Sequence, residues 1–163
     1  MVASDLPLLA KVDLASESDT VRLGGALARV ARIHEVIGLC GPLGAGKTTL
    51  ARGFVAARSG EADDVVSPTF TLVQVYDADG VPIWHFDLYR VERPTDVLEL
   101  GWEEALSEGI SLVEWPDRLG ALLPPTRLDV VLGTAGKGRS AELRGSDAWR
   151  ARVLQVTSDV AGS

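Results

Sequence analysis

The sequence predicts an α/β protein in three layers, with helices on both faces of a mostly parallel sheet and an antiparallel β-hairpin inserted into it. The apolar run Val36–Cys40 is typical of a parallel strand that is buried on both faces, and helical periodicity follows it over residues 49–57. Residues 70–76 and 81–86 are two further strand-like runs, separated by a turn that ends in Gly80. This spacing predicts the hairpin.

The length and composition favour one domain over residues 1–163, since 163 residues can bury a sizeable core. Residues 1–12 and 157–163 read as poorly ordered ends, although residues 8–12 could instead form a short edge strand. No apolar run approaches the ~20 residues of a membrane span, and the start lacks a signal architecture. We therefore expect a cytoplasmic protein with no membrane partner. Its single cysteine, Cys40, excludes an internal disulfide and is expected to be buried.

The net charge of −7 weighs against a surface that binds nucleic acid as a whole, because such binding depends on Lys and Arg neutralising phosphates. If nucleic acid takes part in the function of this protein, we expect a partner protein to bind it.

The other elements follow from periodicity and capping residues. A first helix should begin at a cap formed by Ser16 or Ser18 and end near His34. The second helix should close at Gly60. The remaining predictions are helices over residues 94–107, 116–119 and 147–156, and strands over residues 110–113, 128–132 and 139–143, with a glycine-rich turn over residues 133–138.

The segment of residues 41–48, GPLGAGKT, lies between the strand Val36–Cys40 and the helix that follows. It matches the phosphate-binding pattern G-x-x-x-x-G-K-[ST], and its context of strand, loop and helix is the one that this pattern requires. The glycines let backbone N–H groups surround an anion at the positive end of the helix. Lys47 would reach the β- and γ-phosphates, and the Thr48 hydroxyl would ligate Mg²⁺. These features predict a P-loop NTPase fold.

Acidic residues end two of the predicted strands, at the edge where open α/β sheets bind ligands. Glu114 follows a buried strand, so its carboxylate is the candidate to hold Mg²⁺ directly or through water. Asp87 could orient a water molecule, support the magnesium hydration shell, or simply cap a loop. The segment Ser67-Pro68-Thr69 could fold over the γ-phosphate as a switch, although it also resembles a common turn.

Basic and aromatic residues lie near the same predicted edge. Arg90 could stabilise developing charge or contact a partner, and Trp115 should lie near the site because it follows Glu114. Lys137 lies in the glycine-rich turn and Arg139 directly follows it, in the region where P-loop folds often form the adenine pocket. The sequence contains no Asn-Lys-x-Asp guanine-reading motif and no arginine-rich lid, which favours ATP over GTP and argues against a small-molecule kinase.

Four motifs together resemble the TsaE (formerly YjeE) family in order and spacing. They are GPLGAGKTTLARG, SPTFTLVQVY, HFDLYRV and ISLVEWPDRL, and the resemblance spans residues 16–143. It implies a weak ATPase that uses Mg²⁺ and serves bacterial tRNA threonylcarbamoyladenosine modification. The implied partners are TsaD and TsaB, with tRNA contacted through that complex, and ATP hydrolysis would reset the complex between turnovers.

The resemblance also implies roles for individual residues. Thr48 and Glu114 would serve magnesium, and Asp87 would be a catalytic or magnesium-linked carboxylate. The residues expected to take part in catalysis are therefore Lys47, Asp87 and Glu114. Thr69 would lie in the switch-like loop, and Glu17 and Ser18 would touch the nucleotide base. The remaining residues expected to bind nucleotide are Gly41, Gly44, Ala45, Gly46, Thr49 and, from the late turn, Lys137. The alternatives are a small-molecule kinase and a regulatory nucleotide-binding module.

Overall fold

A computed structural model describes residues 4–60, 71–135 and 138–162. The strands in these ranges are β1 (Leu8–Leu14), β2 (Val36–Cys40), β3 (Val73–Ala78), β4 (Val81–Asp87), β5 (Ile110–Glu114), β6 (Leu128–Ala135) and β7 (Gly138–Arg144). They form one seven-stranded sheet in the order β1-β7-β6-β2-β5-β4-β3.

The centre of the sheet is parallel and both edges are antiparallel. Strand β2 pairs in parallel with β5 and β6, and β4 pairs in parallel with β5. At one edge β3 and β4 form the predicted hairpin, whose turn residues Asp79 and Gly80 have φ of 54° and 85°. Positive φ at both positions is the conformation that tight hairpins favour. At the other edge β7 pairs with β6 and β1. The predicted α/β fold with a mostly parallel sheet and an inserted hairpin is confirmed.

The helices are α1 (Glu17–Val30), α2 (Lys47–Ser59), α3 (Trp102–Glu108) and α4 (Arg150–Ala161). Within the described ranges, 3₁₀ helices accompany them at Pro94–Leu100, Pro116–Leu122 and Asp147–Trp149. Ser16 caps α1, since its side chain accepts a hydrogen bond from the backbone N–H of Asp19. No helix in the described part of the chain has the length and apolar character needed to cross a membrane.

Two apolar cores, one on each face of the sheet, give the three layers. The larger contains side chains from α1, α2 and α4 together with Trp149, and the smaller contains side chains from α3 and from the 3₁₀ helices at Pro94–Leu100 and Pro116–Leu122. Helices α1 and α2 touch through glycine. A Cβ at Gly24 would lie 2.1 Å from the Leu50 carbonyl oxygen, and one at Gly53 would lie 2.2 Å from the Val21 carbonyl oxygen. This close packing fixes α2, and with it the loop that precedes it.

The structure confirms the edge strand expected as one alternative for residues 8–12, and it differs from the sequence-based expectation at the C-terminal end, in two helices and in one turn. Residues 8–12 belong to β1 because they pair with β7, and residues 157–161 continue α4, whose buried Val156 and Val160 belong to the larger core. The helix predicted over residues 94–107 is broken at Gly101, which has φ of 95°. The first helix ends at Val30 rather than near His34. Residues 133–135 extend β6 instead of forming a turn.

Candidate phosphate-binding site

The loop between β2 and α2 has a backbone that only glycine adopts easily. Gly41, Gly44 and Gly46 have φ of 145°, 80° and 109°. A Cβ at Gly41 would also lie 2.7 Å from the carbonyl oxygen of Leu132. Helix α2 begins directly after Gly46, with neither a side-chain cap nor an acidic residue in its first turn. Its first N–H groups and its positive end are therefore available to an anion.

Lys47 is buried at the first position of α2, with only 5% of its surface exposed. Its Nζ donates hydrogen bonds to the carbonyl oxygens of Gly41 at 2.6 Å and Pro42 at 2.9 Å, and it lies 4.4 Å from the ring centroid of Trp115. Burial lowers the pKa of this ammonium group, while the charges of Glu114 and Asp87 act in the opposite direction. The cation is thus held along the loop, close to where phosphates would bind.

Two carboxylates face this lysine because of strand register. Asp87 ends β4, Glu114 ends β5, and the two are paired neighbours in the parallel ladder. Both are buried, at 6% and 3% exposure. The Thr48 hydroxyl donates to Glu114, at 3.0 Å from Oε2 and 3.3 Å from Oε1, and Asp87 Oδ1 accepts from the backbone N–H of Tyr89 at 3.1 Å. Hydroxyl and carboxylate oxygens thus meet at the mouth of the loop, and this is a donor set that suits Mg²⁺.

A cleft of about 330 Å³, termed here the phosphate-loop cleft, unites these groups. Its lining includes eight of the residues predicted for the site: Glu17, Gly44, Gly46, Lys47, Thr48, Thr49, Asp87 and Glu114. Leu43, Trp115 and Arg139 complete it. The carboxylates, the lysine and the glycine loop therefore share one open space.

The other predicted residues have different positions. Gly41 forms the buried base of the loop and binds Lys47 through its carbonyl, while Ala45 packs against the larger core. Ser18 is exposed on the first turn of α1, where its hydroxyl lies 2.9 Å from that of Ser16, and it does not line the cleft. Thr69 and Lys137 lie outside the described residues.

Two residues at the site received no definite role from the sequence. His85 is fully buried, with Nε2 at 2.7 Å from Glu114 Oε2. Arg139 has a guanidinium nitrogen that would lie 3.3 Å from a Cβ at Gly46. Alternation along β4 puts His85 on the same face as Asp87, and this is the signal that could have identified it. Trp115 lines the cleft, so it lies near the site as expected.

A glycine loop between a buried parallel strand and a helix, with an acidic residue ending the neighbouring strand, defines the chain as a protein of the P-loop class. The chain belongs to the TsaE family. The family profile described as "Threonylcarbamoyl adenosine biosynthesis protein TsaE" matches residues 14–141. The family resemblance drawn from the motifs is confirmed.

Proteins named tRNA threonylcarbamoyladenosine biosynthesis protein TsaE are similar to this chain over most of its length. The protein of Rickettsia conorii is 40% identical over 119 residues, which cover 73% of this chain and 68% of that protein. The protein of a Nostoc species is 39% identical over 141 residues, with 83% and 85% covered. The crystal structure of Bacillus subtilis YdiB has a TM-score of 0.74 at 25% identity and covers 95% of this chain and 97% of that chain. This structural match supports the assigned fold.

Proposed function

We propose that this chain binds ATP and Mg²⁺ and hydrolyses ATP slowly, as an accessory subunit in the biosynthesis of tRNA threonylcarbamoyladenosine. Its partners in this proposal are TsaD and TsaB, and it reaches tRNA through them in the cytoplasm. The observation that carries the proposal is the meeting of Lys47, Thr48, Asp87 and Glu114 in one cleft at the uncapped start of α2. The family assignment supplies the biosynthetic context.

The loop and Lys47 would bind the phosphates. The amide groups at the start of α2 suit the β-phosphate, and Lys47 Nζ can turn from the carbonyls of Gly41 and Pro42 to phosphate oxygens. A phosphate partner would also offset the burial that lowers the pKa of this lysine. The positive charge therefore gains more from the phosphates than from the loop carbonyls.

Thr48 and Glu114 would hold the magnesium ion. Their oxygens are already within 3.0 Å of each other, and both are ligand types that Mg²⁺ accepts. When bound, Mg²⁺ would neutralise charge on the β- and γ-phosphate oxygens. Asp87, beside Glu114 in the ladder, would orient the attacking water or support the metal's hydration shell. The proposed reaction forms no covalent bond between protein and substrate. Catalysis would therefore come from positioning the reactants and from electrostatic stabilisation of the transition state.

The test measures phosphate release and tRNA modification with purified protein. We expect Glu114→Gln to lower ATP hydrolysis by about 100-fold, because a charged oxygen at the metal is lost. The control is Glu103→Gln, an exposed glutamate on α3 across the sheet, which should leave the rate unchanged. Equal rates for Glu114→Gln and wild type would contradict the site.

The partner arm of the proposal is tested with TsaD, TsaB and tRNA. We expect repeated turnovers of threonylcarbamoyl transfer to require this chain and ATP, and the Glu114→Gln variant to allow a single turnover at most. Transfer of phosphate to a metabolite, or multiple turnovers without this chain, would overturn the proposal.

A further inference from the structure

His85 is a buried group at the site to which the proposed function gives no task. It lies on β4, two residues before Asp87, and none of its surface is exposed. Its Nε2 lies 2.7 Å from Glu114 Oε2, the same oxygen that accepts from Thr48 at 3.0 Å. The histidine therefore contacts the proposed metal ligand from strand β4, while the threonine contacts it from the first turn of α2.

We propose that His85 is a positioning residue that fixes the orientation of the Glu114 carboxylate for the magnesium ion. The inference rests on the proposed function, since it concerns the same site. A hydrogen bond at 2.7 Å between an imidazole N–H and a carboxylate is of the short, charge-assisted kind. Second-layer partners of this type orient metal ligands and tune their affinity for the metal.

Strand geometry makes the contact rigid. In the parallel ladder Asp87 is paired with Glu114. Two residues earlier on each strand, His85 is paired with Leu112. Side chains two residues apart on a strand share a face, so His85 lies beside both carboxylates on the face that α2 covers. The imidazole is therefore held by the backbone of the sheet. Thr48, by contrast, belongs to the loop-helix junction.

Packing alone does not account for a histidine here. Among the described residues, His85 Nδ1 is buried without a hydrogen-bond partner. An unpaired buried nitrogen destabilises the fold, and an apolar side chain of similar size would avoid that loss. Ile83, two residues earlier on the same face, and Leu112, the ladder partner of His85, are apolar and fully buried. The bond to Glu114 is thus the one favourable polar contact that the described residues give this side chain.

The division of roles follows from what each donor would do when a metal binds. The Thr48 hydroxyl is itself a proposed ligand, so its oxygen would turn to the metal. The bond from His85 would remain and keep Oε2 in place. Glu114 Oε1, whose one contact among the described residues is the longer 3.3 Å bond from Thr48, would then be available to bind the ion.

Two variants separate positioning from structural support. His85→Leu removes the donor, whereas His85→Gln carries an amide nitrogen at a similar reach from the backbone. With Mn²⁺ as the probe and ADP bound, electron paramagnetic resonance should show about a tenfold weaker Mn²⁺ affinity for His85→Leu. The same variant should need about tenfold more Mg²⁺ for half-maximal ATP hydrolysis. His85→Gln should restore both values to within about threefold of wild type.

A control variant and two contrary outcomes test whether His85 positions Glu114. His34→Leu, which changes an exposed histidine bonded to the Leu106 carbonyl, should leave metal affinity unchanged. Wild-type Mn²⁺ affinity in His85→Leu would overturn the inference. So would equal losses in His85→Leu and His85→Gln together with weaker metal-free ADP binding, because that pattern indicates structural support. Failure of the proposed function is recognised separately, since the wild-type protein would then show no magnesium-dependent hydrolysis.

Discussion

Two cavities of nearly equal size lie near the end of β2 and differ in what their charged groups bind. The phosphate-loop cleft measures about 330 Å³, and a second cavity, termed here the Cys40 cavity, measures about 340 Å³. Both contain a buried acidic side chain near a cation. The Cys40 cavity is lined by Ser4, Asp5, Cys40, Pro116, Asp117, Gly120, Leu123, Arg127 and Asp129.

The difference lies in the partners of the charged groups. In the Cys40 cavity Asp129 accepts from Arg127 at 2.9 Å and from the Ser4 hydroxyl at 2.7 Å, so both carboxylate oxygens are bound within the fold. In the phosphate-loop cleft the Lys47 ammonium instead donates to carbonyl oxygens of its own loop. An ammonium group whose hydrogen bonds go to loop carbonyls can be drawn to a phosphate, whereas a closed ion pair supports the fold. Neither volume nor buried charge alone identifies the functional cavity.

The largest effect should come from removing the lysine charge. We expect Lys47→Met to lower ATP hydrolysis by about 100-fold or more and to abolish stabilisation by ATP, which in wild type should approach about 2.7 kcal/mol at 100 times Kd. Burial lowers the pKa of Lys47 below its unfolded value. Keeping the lysine charged at neutral pH therefore makes an unfavourable contribution to the free energy of folding. The melting temperature without ligand should therefore be unchanged or higher.

Thermal melts with and without ATP, and a phosphate-release assay, measure both parts of this prediction. Lys11→Met is the matched control, since Lys11 is exposed on the edge strand β1. If ATP still raised the melting temperature of Lys47→Met, the lysine charge would not be what binds the phosphates, and the two cavities would not differ in this way.

A smaller and opposite effect is expected in the Cys40 cavity. Asp129→Asn leaves the partly buried Arg127, whose side chain is 11% exposed, without its charge partner. The free energy of unfolding should fall by about 3 kcal/mol, while the affinity for ATP should stay within about twofold of wild type. Urea unfolding and isothermal titration calorimetry measure the two quantities.

The control for this variant is Asp147→Asn, whose carboxylate is 88% exposed in its pair with Arg150 and should contribute less than about 0.5 kcal/mol. Replacing Arg127 and Asp129 together by leucine should recover much of the lost stability, since no charge is then left unpaired. Loss of ATP binding at full stability would show instead that the Cys40 cavity belongs to the nucleotide site.

Features set by local chemistry were predictable from the sequence. The glycine pattern of residues 41–48 fixes the loop, and the apolar strand before Glu114 places a carboxylate at the edge where ligands bind. The meeting of Asp87 with Glu114 also followed, because the carboxyl ends of parallel strands share one edge. Register then set the pairing that the structure shows.

Features set by distant contacts were not predictable. Gly101 interrupts an apolar stretch of helical periodicity because Trp84 packs onto it, with a ring carbon 2.9 Å from where a Cβ would be. The sequence allows residues 8–12 either as a poorly ordered end or as an edge strand, because the pairing with β7 that orders β1 lies more than a hundred residues later in the chain. His85 receives no role from the sequence, because alternation puts it on the face of Asp87 but its partner Glu114 is known only from the fold. In each case the deciding partner is remote in sequence.

The smallest effect concerns Cys40 itself, at the end of the strand that enters the phosphate loop. Burial, with a further contribution from Asp129, raises the pKa of its thiol to about 12. At pH 8 about one thiol in 10⁴ is then ionised, so labelling by a disulfide reagent should be very slow in the folded protein and complete in urea. Because the unfolded thiol ionises near pH 9 and the folded one does not, wild type should lose about 1.4 kcal/mol relative to Cys40→Ala between pH 8 and pH 10. Rapid labelling of the native protein would contradict this, and it would mean that the Cys40 cavity opens as readily as the phosphate-loop cleft.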